Sequence, residues 1–255
     1  MTTLGNWMGL APGIAVLAIL ACLLAGAIRG FAGFGLSALA MAILAAFIAP
    51  IELIPLFWFL EMSASLVLMK GGWADADRTA AVTLVATAGV GLPLGLLATM
   101  AIPATLSKAV ALTLLIGLAL TQLARLRIPA LASRPGTLAT GLGAGLITGL
   151  AGAGGMFIAL YALVRDLPAR TMRGTLNIYM LGSGAVGLVT HLALRTMDGQ
   201  TAARAAILVP VTLLGVFLGQ AAFTPRWERY YRPACLVLLL GLAGSGLIRL
   251  AWERS

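Results

Sequence analysis

The stretches AGAIRGFAGFG (residues 25–35) and AGLITGLAGAG (residues 144–154) carry glycine at the same four places, 119 residues apart. Gly26 pairs with Gly145, Gly30 with Gly149, Gly33 with Gly152 and Gly35 with Gly154. One such match means little in a chain with 31 glycines. Four in order are harder to dismiss, and Pro50 against Pro168 and Gly91/Gly95 against Gly215/Gly219 extend them. The chain reads as a tandem duplication.

Apolar runs surround these breaks. In the first half they lie near 11–28, 32–49, 52–70, 79–101 and 107–124; in the second, near 136–151, 155–165, 172–194, 202–222 and 233–251. The expected organisation is a first transmembrane repeat over 1–124, a basic linker over 125–135 and a second repeat over 136–255. Of the 255 residues, 61% are apolar and 10% charged, against about 25% charged in a soluble domain. So few charges cannot cover one soluble core of this length. About 20 apolar residues make one span, so the chain holds about ten segments and no soluble catalytic domain. The start MTTLGNWMGLAPG lacks a basic n-region, so the first apolar run is expected to remain a span.

An odd number of segments per half inserts the second half upside down relative to the first. The expected fold is an all-α polytopic membrane protein. It has two inverted repeats of about five helical segments each, with broken or re-entrant glycine-rich helices at the start of each repeat. The net charge of +9 fits cytoplasmic loops rather than a nucleic-acid surface. Counted loop by loop, twelve basic residues fall on one side and five on the other, which makes the first side cytoplasmic and both termini external. Trp7, Trp73, Trp227 and Trp252 sit near span ends, as an aromatic belt requires; Trp58 does not. The expected location is the plasma or inner membrane.

Segment 155–165 is too short to cross about 30 Å of hydrocarbon at 1.5 Å per residue, so each half is expected to begin with a re-entrant hairpin or a discontinuous helix. Irregular backbone at membrane depth survives only where protein or a water-filled cavity satisfies it. Gly30, Gly33, Gly35, Gly149, Gly152, Gly154 and Gly155 would then offer N–H groups at half-helix N-termini to a central anion. The competing use is close helix packing through small residues.

These glycine patterns, with Pro168 followed by Arg173-Gly174-Thr175-Leu-Asn177, resemble the TauE/SafE sulfite-exporter family over nearly the whole chain. The resemblance implies a carrier of small sulfur-containing anions such as sulfite, sulfoacetate or related sulfonates. Phe34, where a glycine run is common, and Glu61, in a segment usually apolar, depart from the family pattern.

Ionisable residues inside spans are costly unless paired or hydrated, and so are functional candidates. Arg29 precedes the first break, and its fork suits a sulfonate or carboxylate; the other reading is a snorkelling cytoplasmic anchor. Glu61 reads as a proton carrier, a counter-ion to Arg29, or a structural hydrogen-bond partner. Ser37, Thr175 and Asn177 are candidate side-chain ligands, with Tyr179 and Ser183 along the same helix face as Thr175. His191, the only histidine, is a candidate coupling group, although a lone histidine near a helix end is more often solvated.

The expected function is secondary transport, with export favoured, by alternating access around a midplane site. The rivals are a structural or accessory membrane subunit and a carrier of small carboxylates. No HExxH, GxSxG or paired Asp motif suggests an enzyme. No cofactor or metal is expected, since Cys22 and Cys235 lie far apart in apolar runs. The expected partners are a small anion, the lipid bilayer and a second copy of the chain, because chains this small often pair in membranes.

Overall fold

A computed structural model describes residues 5, 7–69, 76–126, 128–165, 167–222 and 225–252, with side chains at all of these except 163, 169, 172, 173 and 225–232. Lys70, Trp73, Arg127 and Arg254, used above for orientation, lie outside the described residues, as do the side chains of Arg173, Arg226, Trp227, Arg229 and Arg232.

Among the described residues, five helices of nine or more residues lie in each half. In the first they are α1 (Pro12–Ala32), α2 (Leu36–Leu44), α3 (Pro50–Leu68), α4 (Arg78–Ala101) and α5 (Ala104–Leu123). In the second they are α6 (Arg134–Ala151), α7 (Gly154–Val164), α8 (Ala169–Ala193), α9 (Gly199–Ala221) and α10 (Pro225–Trp252). A 3-10 turn, Pro129–Ala132, lies in the linker between them. Proline opens α1 and α3, where its missing N–H costs nothing. Seven helices among the described residues are long and apolar enough to cross a membrane, which makes this an all-α multi-pass membrane protein. The ten expected segments are present as helices, and three of them fall short of a span. The run 32–49 contains only the nine-residue α2, α7 has eleven residues, and α6 is eighteen residues rich in glycine and threonine.

The two breaks share one geometry. Gly33 and Gly152 end α1 and α6 in the left-handed region, at φ 82° and 67°, where a side chain would be strained. Their N–H groups close the last turns onto the Arg29 and Thr148 carbonyls, at 2.8 and 2.9 Å. After its break, α7 returns along α6 in the opposite direction: Gly154 lies against Ala144 and Thr148, and Gly143 against Phe157.

The most extensive helix contacts join α4 to α6 and α1 to α9. In both, backbone meets backbone at glycine. A Cβ added to Gly26 or Gly30 would strike the carbonyl of Thr212 or Val216, and one added to Gly215 or Gly219 would strike that of Leu23 or Ala27. On the other pair, Gly91 and Gly95 abut Leu142 and Leu146, while Gly145 and Gly149 abut Ala88 and Leu96. Residue numbers rise together across each crossing, so both pairs run parallel. Thr99 adds a hydrogen bond to the Gly149 carbonyl at 2.7 Å. Exchanging the halves helix for helix maps α1–α9 onto α6–α4, α3–α9 onto α8–α4 and α2–α10 onto α7–α5; α3–α8 and α5–α10 map onto themselves.

Asp77 and Asp198 cap the corresponding helices α4 and α9, accepting from Ala80 N at 3.0 Å and Thr201 N at 2.7 Å. Hydrogen bonds from the Thr201 hydroxyl and N–H hold the Asp198 carboxyl below its ordinary range. Its folded value is depressed, so the cap contributes above the usual carboxylate range and is lost as the pH falls through the lowered value. Asp198→Ala is expected to cost about 1 kcal/mol and Asp198→Asn less, measured as thermal unfolding of the detergent-solubilised protein at neutral pH.

Candidate functional site

Arg29 occupies the last turn of α1 and is 1% exposed. A cation at a helix C-terminus faces negative partial charge, and here Nη1 donates to the Gly33 carbonyl. Nη2 donates to Ser65 Oγ at 3.0 Å. Nε lies 3.3 Å from Glu61 Oε2, yet neither atom has a hydrogen-bond partner. The two charges touch without bonding, and each keeps a bonding position to spare. Glu61 Oε1 accepts from Ser37 N at 3.1 Å and Ser37 Oγ at 2.8 Å. The carboxylate therefore sits on the first turn of α2, at its positive end.

A cavity of about 590 Å³, measured out to its open mouth, lies beside this pair. Both halves line it: Ser37, Phe57, Trp58 and Glu61 from the first, Thr148, Gly152, Gly155, Tyr179, Ser183 and His191 from the second. Most of the wall is apolar, with Met62, Leu92 and Met180 contributing. Trp58 closes α3 onto α8, its indole N–H donating to the Gly184 carbonyl at 2.7 Å. Tyr179 is 1% exposed, and its hydroxyl, beside Thr148 and Ser183, makes a well-formed hydrogen bond to neither.

Of the residues named from sequence, Ser37, Glu61, Gly152, Gly155 and His191 line the cavity, and Arg29 reaches it through Glu61. Gly30 and Gly149 do not; they are consumed in the α1–α9 and α4–α6 crossings. Gly33 caps α1 and gives its carbonyl to Arg29. Gly35 opens α2 against Ile28, and Gly154 closes the α6–α7 hairpin. Thr175 accepts from Asp77 N at 3.0 Å, outside the cavity. Asn177 is buried on α8 with Oδ1 unbonded and also does not line the cavity. His191 is not solvated as expected: it is 2% exposed, with Nδ1 2.7 Å from Thr196 Oγ1. Arg29 is likewise no snorkelling anchor, because its charge is turned inward onto Glu61.

Sequence reasoning missed Ser65, Thr148 and the bridging role of Trp58. Signals existed for two of them: Ser65 lies one turn beyond Glu61, and Thr148 is the repeat partner of Arg29 in the aligned stretches.

Two further ion pairs tie the halves together at opposite ends of α3. Near its start, Arg204 of α9 donates to Glu52 at 2.9 Å and to the Met8 carbonyl. Beyond its end, Arg165 lies 3.4 Å from Asp77 and donates to the Tyr161 hydroxyl at 2.9 Å. That hydroxyl, with Asp77 behind it, holds the Arg165 guanidinium above its ordinary pKa.

Compared with known families, residues 18–246 match the model described as sulfite exporter TauE/SafE. The chain belongs to the TauE/SafE family. It is thus a membrane anion-transporter protein and not an enzyme. Comparison with curated proteins and with solved structures gives no match. In this TauE/SafE chain the cavity brings together the Glu61 carboxylate, with the Arg29 guanidinium behind it, the first turn of α2 and polar groups from both halves around an apolar space.

Proposed function

We propose that this protein is a secondary carrier of small sulfur-containing anions, such as sulfite, sulfoacetate or related sulfonates, which bind in the cavity beside Arg29. The observation that carries the reading is the Arg29 guanidinium, buried directly behind Glu61 of the cavity wall with an unbonded Nε. With Nη1 and Nη2 held by Gly33 and Ser65, Nε is the donor left for a sulfonate or sulfite oxygen, as one charge-assisted hydrogen bond, and the apolar wall accommodates a short carbon chain. Inverted repeats with re-entrant α1–α2 and α6–α7 units are supported by the helix-for-helix exchange of contacts and by the parallel α1–α9 and α4–α6 crossings. Those parallel pairs are what strict alternation of direction through ten segments requires.

Transport proceeds by alternating access. Its moving bodies are set by the glycine crossings: α1 travels with α9 and α4 with α6, so each body contains helices of both halves. The pairs Glu52–Arg204 and Asp77–Arg165 join the halves at the two ends, where access must open in turn. Outward movement of a divalent anion is electrically downhill across an inside-negative membrane, which favours export.

The test is efflux of labelled sulfite and sulfoacetate from proteoliposomes. Arg29→Met combined with Glu61→Gln leaves no bare charge in the core, so the variant inserts and folds. It is expected to lose about 10–100-fold in flux, the worth of a charge-assisted hydrogen-bond pair. Unchanged, saturable efflux by the folded double variant refutes the role of Arg29, and absence of flux in the wild type refutes carriage of these anions.

A further inference from the structure

Glu61 already occupies the place a substrate anion would take. Its Oε1 accepts both Ser37 donors on the first turn of α2, and its Oε2 faces Arg29 Nε. The pair is neutral as it stands, so an incoming anion meets no net charge and finds its best donors filled. We infer that Glu61 is a tethered competitor of the substrate, displaced when its carboxylate takes up a proton, so that one proton binds with each anion. This rests on the anion-carrier reading above and specifies its coupling.

The geometry makes the exchange local. Protonation converts Glu61 from an acceptor into a carboxyl with one O–H to donate. It also frees the Ser37 donors and leaves the Arg29 charge uncompensated. An anion that then binds Arg29 Nε and the Ser37 donors can accept the carboxyl proton as a further hydrogen bond. The carboxyl needs only to turn towards the cavity, since Glu61 already lines it and is 17% exposed. The Tyr179 hydroxyl, buried and without a well-formed bond, is a second donor facing the same space.

The charged and titratable groups around Glu61, among the described residues, are few. Arg29 faces it from α1; Tyr179 and His191 face the cavity from α8, and Thr148 adds a hydroxyl from α6. On the other elements packed against α3, Lys108 of α5 is turned to the Ala46 carbonyl and Arg204 of α9 to Glu52. His191 is therefore the rival proton site that the test must separate from Glu61.

The sign of the effect is fixed. If one proton is taken up with each anion, anion affinity falls as the pH rises, by up to about tenfold per pH unit. A proton carried with a monovalent anion cancels its charge, so its direction follows the two concentration gradients. A divalent anion keeps its outward electrical drive.

The experiment is calorimetric binding of methanesulfonate, which stays ionised throughout, to the purified full-length protein between about pH 5 and 8. Running it in two buffers of different protonation heat counts protons. The wild type is expected to take up one proton per anion where its affinity falls as the pH rises. Glu61→Gln, which keeps an acceptor oxygen for Ser37, is expected to bind with pH-independent affinity and at least tenfold more tightly than the wild type at the alkaline end. His191→Gln is expected to keep the wild-type slope. Binding without proton uptake in the wild type, or a slope that survives in Glu61→Gln and disappears in His191→Gln, overturns the proposal while leaving the carrier reading intact. Absence of binding by methanesulfonate and sulfoacetate across the whole range overturns the carrier reading, and this proposal with it.

Discussion

Glu61→Leu is expected to destabilise the folded protein by about 3–5 kcal/mol, the cost of leaving a buried charge without its partner. Arg29 is 1% exposed, with Nη1 and Nη2 committed to Gly33 and Ser65. Removing the carboxylate also strips Ser37 N and Oγ of their acceptor. Much of this loss reflects the stranded cation rather than the intrinsic worth of the pair, because replacing both members of a buried pair with apolar groups is often near neutral. Arg29→Met combined with Glu61→Leu is therefore expected to recover most of the stability while remaining inactive. Thermal or denaturant unfolding in detergent micelles measures both. A single Glu61→Leu variant as stable as the wild type would show that the charges are not mutually dependent.

Gly30→Val and Gly149→Val have the next largest expected effect. The carbonyl carbon of Val216 lies 2.9 Å from the position of an added Cβ at Gly30, and the Leu92 carbonyl oxygen lies 2.6 Å from one at Gly149. Both obstacles are backbone, so the helices themselves must separate. Overpacking typically costs about 1–3 kcal/mol and sometimes more, and here the upper end is expected because four reciprocal glycines share each crossing. Gly117→Ala and Gly241→Ala are the controls. Nothing lies within 4 Å of a Cβ added at either position, and both are helical, so alanine is expected to be neutral or to stabilise by up to about 1 kcal/mol. Equal losses at all four positions would show that the crossings are no tighter than the rest of the bundle.

The ten helical segments, the shortened α7 and the breaks at Gly33 and Gly152 were legible because each leaves a mark in spacing or length. The roles of individual glycines were not. Gly30 and Gly33 are three residues apart in one motif, yet one is pressed against α9 and the other caps a helix. Sequence spacing places residues on a helix face but does not say which neighbour covers it, and in a membrane both lipid and protein are apolar, so hydropathy does not separate the two. Arg29 and Glu61 stood out because an intramembrane charge is costly. Their pairing was one of several open readings until the distance was known. Ser65 and Thr148 gave no comparable alarm, since hydroxyls in helices commonly bond the preceding turn, as Thr148 does to Ala144.

The long-range α1–α9 crossing also sets a timetable for synthesis. At about 5–20 residues per second, α9 follows α1 out of the ribosome only after an interval on the order of ten seconds or more. Throughout that interval the Gly26–Gly30 face has no partner and must tolerate lipid or a chaperone. Glu61 arrives within roughly the first few seconds, early enough to neutralise Arg29 and hold the first hairpin in the bilayer. On this timetable the ion pair serves the nascent chain before it serves the finished protein, and its loss would show first as degraded, half-inserted protein.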